Sequence, residues 1–364
     1  MKGKTRLLWI TGISGIGKTV LGECLASKAW ESDSAFQWIY LEVLEGQSPD
    51  FPSVASDLLA KLGDRDIDPQ ERNNPDQLAK RLLRKLQSHP YWIQLDALER
   101  LLNPEHPTEF VDAYWATFLQ RCLTNSPFAS CLVLTSQSFP NPLIEWNDRY
   151  PNVWVEIRLD GLSQVEQQLE FFAKRGIAVD AVNQDVLAQI AKIYEVHPLV
   201  LKVNAEDILK EFAGDVDRYW QVNQLEFEQV ARELQVARLD ETIYNEALDR
   251  KVRDRIKKSL EQLPTDALDL LYRSSGYRRP VPKSFWLGMI GDRSFQKQKE
   301  AYRVLGDRAL IEQEVNQNQR LIRQHNLIRN IAYDLLCQIR SHGKLPNTKR
   351  LNFGSQSTNL IITC

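Results

Sequence analysis

The chain has 364 residues, 43% hydrophobic and 26% charged, which is enough for two or three domains with sizeable cores and too apolar for wholesale disorder. Its 46 Lys+Arg against 48 Asp+Glu leave a formal net charge of -2, which removes any whole-chain argument for a nucleic-acid or membrane surface. Five scattered cysteines (Cys24, Cys122, Cys131, Cys337 and Cys364) without a CxxC pair point to reduced thiols in a cytoplasmic protein, against a disulfide framework or a zinc site.

The N-terminal "MKGKTRLLWI" has a basic start but only a short apolar run leading into glycines, so a signal peptide is not expected. No run approaches the roughly 20 apolar residues that span a bilayer, and a membrane partner is not expected either. Over the first 160 residues, "RLLWIT" (6–11), "FQWIYLEV" (36–43), "YWIQLDAL" (91–98), "CLVLTSQ" (131–137) and "VWVEIRL" (153–159) read as buried strands. They are continuous apolar runs, as a parallel sheet covered on both faces requires. Helical patterns lie between them: Leu21, Cys24 and Leu25 make one face, and Leu78, Leu82 and Leu86 another. The alternation predicts an α/β domain over 1–160.

From 161 to 255 the periodicity is helical only. "SQVEQQLEFFAKRG" (163–176) opens on Ser163 with Glu166 three residues on, a capping box, and ends at Gly176. "DVLAQIAKIYEV" (185–196) stops before Pro198. A third unit is expected over 256–341. There "TDALDLLYRSSGY" has an N-cap at Thr265 or Asp266 and an apolar face of Ala267, Leu270 and Leu271. Two short helices follow, "SFWLGMI" and "QKQKEAYRVLGDRAL". Next comes a hairpin over 310–325 turning at "NQNQ", and a helix over 326–340 with Ile328, Ile331 and Leu335 on one face. Three helices plus a hairpin is the composition of a winged helix. Residues 342–364 lose all periodicity and read as an irregular tail; no internal repeat is evident.

The chemistry concentrates in "GISGIGKT" (12–19), which fits G-x-x-x-x-G-K-[ST] in full, after a strand and before a helix. Gly12, Gly15 and Gly17 permit positive φ. The backbone N–H groups of Gly12, Ile13, Ser14, Gly15, Ile16, Gly17, Lys18, Thr19 and Val20 can then close around phosphate oxygens at the positive end of the helix. Lys18 is expected on the β- and γ-phosphates and the Thr19 hydroxyl on Mg²⁺. A second acidic contact for the metal belongs at the end of a neighbouring apolar strand, and "YWIQLD" supplies Asp96. Glu99, three residues on, is placed to polarise a water; Ala97 occupies the position where a second acid often stands. Ser136 and Gln137 end a strand beside the phosphates. Ordinary structural roles stand beside each of these: a strand–helix turn for the loop, a helix N-cap for Asp96, and a solvated surface carboxylate for Glu99.

With these residues in hand, the chain from about residue 6 to 340 resembles the NB-ARC branch of the STAND signal-transduction ATPases, in its bacterial form. "GISGIGKT" is its Walker A motif, and "YWIQLDALE" is similar to the LDxxE form of Walker B. "CLVLTSQ" looks like the family's sensor strand, with Thr135 and Ser136 matching and Gln137 in place of arginine. "IRLDGLSQVEQQLEFF" is similar to the L-x-GL-S-x-x-E segment. "VHPLVL" is similar to the Gly-x-Pro-Leu motif, with Val196 in place of glycine and Pro198 and Leu199 retained. "RQHNLIRNIA" resembles the Met-His-Asp stretch, with His325 kept and Asn326 where aspartate is usual.

The resemblance implies a P-loop NTPase parallel sheet, a small helical domain and a winged-helix domain. It also implies ADP held between the three domains, with Pro198 near the adenine and His325 on the β-phosphate. Exchange for ATP then releases the winged helix and allows self-association. The expectation is therefore an ADP/ATP- and Mg²⁺-binding switch with slow hydrolysis through Lys18, Asp96 and Glu99, acting by self-association or on an unidentified protein partner. Two alternatives stay open. One is a nucleotide-gated winged-helix DNA-binding regulator, suggested by the basic runs "RKVRDRIKK" and "YRRPVPK"; acidic residues flank the first of these, and nucleic acid is not the expected partner. The other is a degenerate, non-hydrolysing interaction module. At Pro198 the plain alternative is a helix N1 proline, and at His325 a helix cap.

Overall fold

A computed structural model describes residues 5–43, 47–106, 108–316 and 319–341. The expected tail at 342–364 and the tip of the hairpin turn at 317–318 lie outside the described residues. Contacts divide the chain into two compact units, Met1–Asp160 and Gly161–Cys364.

The first unit runs β1 (Leu7–Thr11), α1 (Lys18–Ser32), β2 (Gln37–Glu42), α2 (Phe51–Lys61), α3 (Pro69–Arg72), α4 (Pro75–Ser88), β3 (Tyr91–Asp96), α5 (Tyr114–Thr124), β4 (Cys131–Ser136), α6 (Trp146–Arg149) and β5 (Trp154–Arg158). The five expected strands form one parallel sheet in the order β2-β3-β4-β1-β5. Alternation along each strand sends residues to opposite faces. Leu7, Trp9, Ile93, Leu95, Leu132, Leu134 and Trp154 enter one core, beside Phe51, Leu78, Leu82 and Leu86. Leu8, Ile10, Trp92 and Val133 enter the other, beside Ala26 of α1. Both faces are covered, which is why the strands read as unbroken apolar runs. The architecture is a P-loop NTPase α/β fold.

The expected face of α1 needs correcting. Cys24 is exposed and Leu21 and Leu25 are half-buried, while the buried line is Lys18, Gly22 and Ala26. The loop before the helix draws Lys18 inward, and Gly22, lacking a Cβ, lets the helix settle onto Gln94. A Cβ at residue 22 would come within 2.7 Å of that side chain.

The second unit is α7 (Val165–Lys174), α8 (Gln184–Ile193), α9 (Pro198–Glu211), α10 (Val216–Ala237), α11 (Glu241–Glu261), α12 (Thr265–Ser274), β6 (Val281–Pro282), α13 (Lys283–Gly288), α14 (Phe295–Asp307), β7 (Ile311–Asn316), β8 (Gln319–Gln324) and α15 (Asn326–Ser341). The expected boundary at 255/256 falls inside α11. The hairpin β7–β8 is antiparallel, and β6, not anticipated from the sequence, adds to β8. Ala267, Leu270 and Leu271 are fully buried as expected of the α12 face. On α15, Ile328, Ile331 and Leu336 are buried, whereas Leu335 is half-buried.

Two helix starts differ from expectation. The capping box at Ser163 and Glu166 does not form: α7 begins at Val165 with Gln164 at its N-cap and no side-chain cap. The preceding segment is committed elsewhere. The Leu162 N–H donates to the Val196 carbonyl, and Gly161 packs so closely that a Cβ there would lie 1.9 Å from the Glu195 carbonyl oxygen. The C-terminal signal does hold: Gly176 has φ +91°, and the N–H groups of Gly176 and Ile177 return to Ala173 and Phe172. Helix α12 begins one residue early, at Thr265, so Pro264 is its N-cap and neither Thr265 nor Asp266 caps it. The Asp266 carboxylate instead pairs with Arg293 at 3.0 Å.

Candidate functional site

The loop between β1 and α1 takes the conformation that its glycines allow. Gly12, Gly15 and Gly17 have φ of +147°, +84° and +109°. At Gly12 a Cβ would also come within 2.8 Å of the Leu159 carbonyl oxygen, so both the torsion and the close approach require glycine there. Helix α1 starts directly at Lys18, with no acidic residue of its own in the first turn to offset the partial positive charge of its N-terminal end. Lys18 is 9% exposed, and its ammonium arches over the loop, donating to the Gly12 and Ile13 carbonyls at 2.7 and 3.0 Å. Val20, in the first turn of α1, is exposed.

Thr19 and Asp96 meet. The Thr19 hydroxyl donates to both Asp96 carboxylate oxygens, at 3.1 and 2.9 Å. This contact follows from topology: β3 ends at Asp96, and α1 packs over β3 through Gly22, where Gln94 Nε2 donates to the Thr19 carbonyl at 3.1 Å. Two further residues complete the shell of Asp96: Tyr40, which sequence reasoning did not single out, and Thr135, which it noted only as a match in the sensor strand. The Tyr40 hydroxyl donates to Oδ2 at 3.0 Å, and the Thr135 hydroxyl donates to Oδ1. Tyr40 arrives from β2 and Thr135 from β4, the two strands that flank β3. The only sequence signal for Tyr40 is a polar group near the C-terminal end of an apolar run; Thr135 has that and its place in the sensor-strand resemblance. Asp96 is 4% exposed, and three hydroxyls satisfy its carboxylate, as a buried polar group requires.

Beyond Asp96 the chain turns through Ala97, at φ +63°, into a 3₁₀ turn over Leu98–Leu101 that carries Glu99. Gln137 holds Glu99, its Nε2 donating to Oε1 at 2.9 Å and its backbone N–H to Oε2 at 3.3 Å. The expectation of Gln137 as a direct phosphate contact thus acquires a competitor: its amide is engaged by the carboxylate. Ser136 is fully buried, and its Oγ accepts from the Ser138 N–H.

Pro198 and His325 belong to the second unit. Pro198 is the first residue of α9, whose N-cap His197 accepts from the Val200 N–H through Nδ1 at 3.3 Å. Val196 stands where the resembling family carries glycine, and it has φ +55°, a left-handed conformation unusual for a β-branched residue. His325 precedes α15 and caps it, with Nδ1 accepting from the Leu327 N–H at 3.2 Å. The unit also holds a buried polar cluster. Arg255 Nη2 lies 2.5 Å from Asp207 and its Nε 2.7 Å from Asn204, while Ser259 and Arg308 also approach Asp207. Burial pushes the Asp207 carboxyl upward, and the Arg255 guanidinium opposes that shift. Among the described residues no helix is long and apolar enough to cross a membrane.

No protein-family model matches the chain. An uncharacterized WD repeat-containing protein of Nostoc sp. is 32% identical over 235 residues, covering 60% of this chain and 18% of that protein. The chain therefore spans less than a fifth of that curated relative. Among solved structures, a Signal Transduction ATPase with Numerous Domains (STAND) protein with a tetratricopeptide repeat sensor from Pyrococcus horikoshii superimposes with a TM-score of 0.52 at 16% identity, over 94% of this chain and 44% of that one. The Aeropyrum pernix ORC1 protein in complex with DNA gives 0.39 at 17% identity, over 94% and 89%. The likeness to the Pyrococcus protein is one of fold, which this chain shares over nearly its whole length.

Proposed function

We propose that the chain is a nucleotide-operated molecular switch of the NB-ARC/STAND type, which binds ADP and ATP with Mg²⁺. The observation that carries this reading is the convergence of Lys18, Thr19 and Asp96 beside three positive-φ glycines at a helix N-terminus. The donor set fits the group: amides and an ammonium for phosphate oxygens, a hydroxyl and a carboxylate for a hard divalent cation. In this reading the amides of Gly12 to Val20 surround the diphosphate, and Lys18 exchanges its loop carbonyls for phosphate oxygens. Thr19 and Asp96 hold Mg²⁺, and Tyr40 and Thr135 orient the Asp96 carboxylate. When bound, the metal neutralises phosphate charge. Glu99, held by Gln137, orients the attacking water, and hydrolysis is slow.

The resemblance supports the remaining assignments. The segment 161–255 is the helical domain, with Pro198 at the adenine. The segment 256–341 is a winged helix whose His325 contacts the β-phosphate of ADP and releases it on exchange. The output is self-association or control of a protein partner in the cytoplasm. The Nostoc relative contains WD repeats and the Pyrococcus protein a tetratricopeptide repeat sensor, which supports a repeat-based sensor as the source of the signal. The DNA-reading alternative has less support. Helix α14 exposes Gln296, Lys297, Lys299 and Arg303, but Arg303 is neutralised by Glu300 and Asp307 at 2.6 and 2.7 Å.

The test is the nucleotide that co-purifies with the chain, released by denaturation and identified by chromatography and mass spectrometry. ADP is the expected species. ADP at a hundred times its Kd is expected to stabilise the parent by about 2.7 kcal/mol, and Lys18→Ala to abolish that shift. No bound nucleotide, together with a parental Tm that ignores both ADP and Mg²⁺-ATP, would instead select the degenerate interaction module.

A further inference from the structure

Helix α10 presents two apolar faces, and among the described residues only one packs against the rest of its unit. Val216, Tyr219, Phe227, Val230 and Leu234 are buried. On the opposite side Val222, Leu225 and Val236, with Leu239 in the turn just past the helix, are 66%, 81%, 73% and 94% exposed. The outer residues form a line. Val222, Leu225, Gln229, Arg232, Val236 and Leu239 recur at alternating intervals of three and four, the spacing of a coiled-coil seam. Aliphatic side chains occupy both ends of the line and polar ones its middle.

The line is also symmetric about the middle of the helix. Reversed end for end, position 222 falls on 239, 225 on 236, and 229 on 232. The surface that matches such a seam is the same seam running the opposite way, related by a two-fold axis. The charges choose the same direction. Glu228 and Arg232 are both exposed, and neither makes an ion pair among the described residues; Glu228 accepts from Gln224 at 2.8 Å. In the antiparallel register each Glu228 lies beside Arg232 of the second copy, which gives two opposite-charge pairs. A parallel register stacks Arg232 on Arg232 and Glu228 on Glu228.

We propose that α10 is a self-recognition helix on which a second copy of this chain docks antiparallel. Leu225 packs on Val236 of the second copy, Val222 on its Leu239, and Glu228 pairs with its Arg232. The central polar pair sets the register, as buried polar positions do in coiled coils. The inference rests on the exposed face of α10 alone and does not depend on the nucleotide reading.

Sedimentation velocity of the full chain across a concentration series, without added nucleotide, is the first test. A reversible monomer–dimer equilibrium is expected. Leu225→Asp is expected to leave only monomer. Arg232→Glu, which sets like charges against each other twice, is expected to weaken the dimer about tenfold, and the exchange Glu228→Arg with Arg232→Glu to restore it. All these positions are exposed, and an unchanged far-ultraviolet dichroism spectrum verifies the fold of each variant. The second test reads direction. Chains carrying Leu225→Cys and Val236→Cys, in a Cys24→Ser background because Cys24 is exposed, are mixed and oxidised. A disulfide between positions 225 and 236 is expected from the mixture. Neither chain is expected to cross-link alone, because identical positions sit about 16 Å apart along the antiparallel pair, beyond disulfide reach. A parent that stays monomeric throughout, a dimer indifferent to Leu225→Asp, or cross-linking of 225 to itself would overturn the proposal.

Discussion

One residue, Gln137, grips both oxygens of the Glu99 carboxylate, through its side-chain amide at 2.9 Å and its own backbone N–H at 3.3 Å. The pairing joins the turn after β3 to the end of β4. It gives a carboxylate on a short, partly exposed turn a fixed direction.

If Glu99 orients the attacking water, Gln137 acts through it as a positioning residue. Gln137→Ala is expected to lower kcat for ATP hydrolysis about tenfold with KM little changed. Glu99→Gln is expected to lower it about a hundredfold or more, the scale of lost general-base assistance. Because the two act as a unit, the double variant should be no slower than Glu99→Gln alone. Steady-state phosphate release reads all three; a Gln137→Ala variant with parental kcat would remove the positioning role.

Gly22 tests how closely α1 approaches the sheet. In an ordinary helix interior, replacing glycine by alanine gains about 1 kcal/mol. Here a Cβ would lie 2.7 Å from the amide of Gln94, which is fully buried and bonded to the Thr19 carbonyl. Overpacking of that kind costs about 1–3 kcal/mol and wins. Gly22→Ala is therefore expected to lose about 1 kcal/mol in urea denaturation, and a cycle with Gln94→Ala to show coupling between the two sites.

The Arg255–Asp207 pair is enclosed, with side chains 1% and 2% exposed. Arg255→Leu leaves the Asp207 carboxylate buried without its main counter-charge and is expected to cost about 3–5 kcal/mol. Replacing both partners by leucine removes the desolvated charges together and is expected to recover most of that loss. Chemical denaturation of the single and double variants measures both. Equal destabilisation by the single and double variants would argue that packing, not charge, dominates there.

Asp64 gives a pH signature. Its hydrogen bond from Arg81 holds its carboxyl below the ordinary value of 3.8. A carboxyl with a depressed folded pKa contributes stability that is present above 3.8 and is lost as pH falls through the folded value. Arg81→Met is thus expected to be less stable than the parent at neutral pH, by up to about 1 kcal/mol for a pair still partly solvated. The gap should close as the pH is taken below 3.8, in acid titrations followed by tryptophan fluorescence. A gap unchanged at low pH would assign the loss to the aliphatic stem of Arg81.

The strands, the phosphate-loop torsions and the stop at Gly176 were legible from residues alone, because each rests on chemistry within a few positions along the chain. A strand buried on both faces must be apolar throughout, and a backbone bent to φ +84° or +109° selects glycine. Local capping signals misled where a tertiary contact outbid them. Ser163 and Glu166 lost their box to the docking of Gly161 and Leu162 against Glu195 and Val196, and Asp266 turned to Arg293. Periodicity misplaced Cys24, since the loop and Gly22, not hydrophobicity, set the rotation of α1. Long-range register alone brought Tyr40 and Thr135 to Asp96 and Gln137 to Glu99, from positions 38 to 56 residues apart. A sequence marks which residues can form a strand, but strand pairing across the sheet decides which side chains end up within 3 Å of one another. The ends of β2, β3 and β4 therefore became a site only once the sheet had closed.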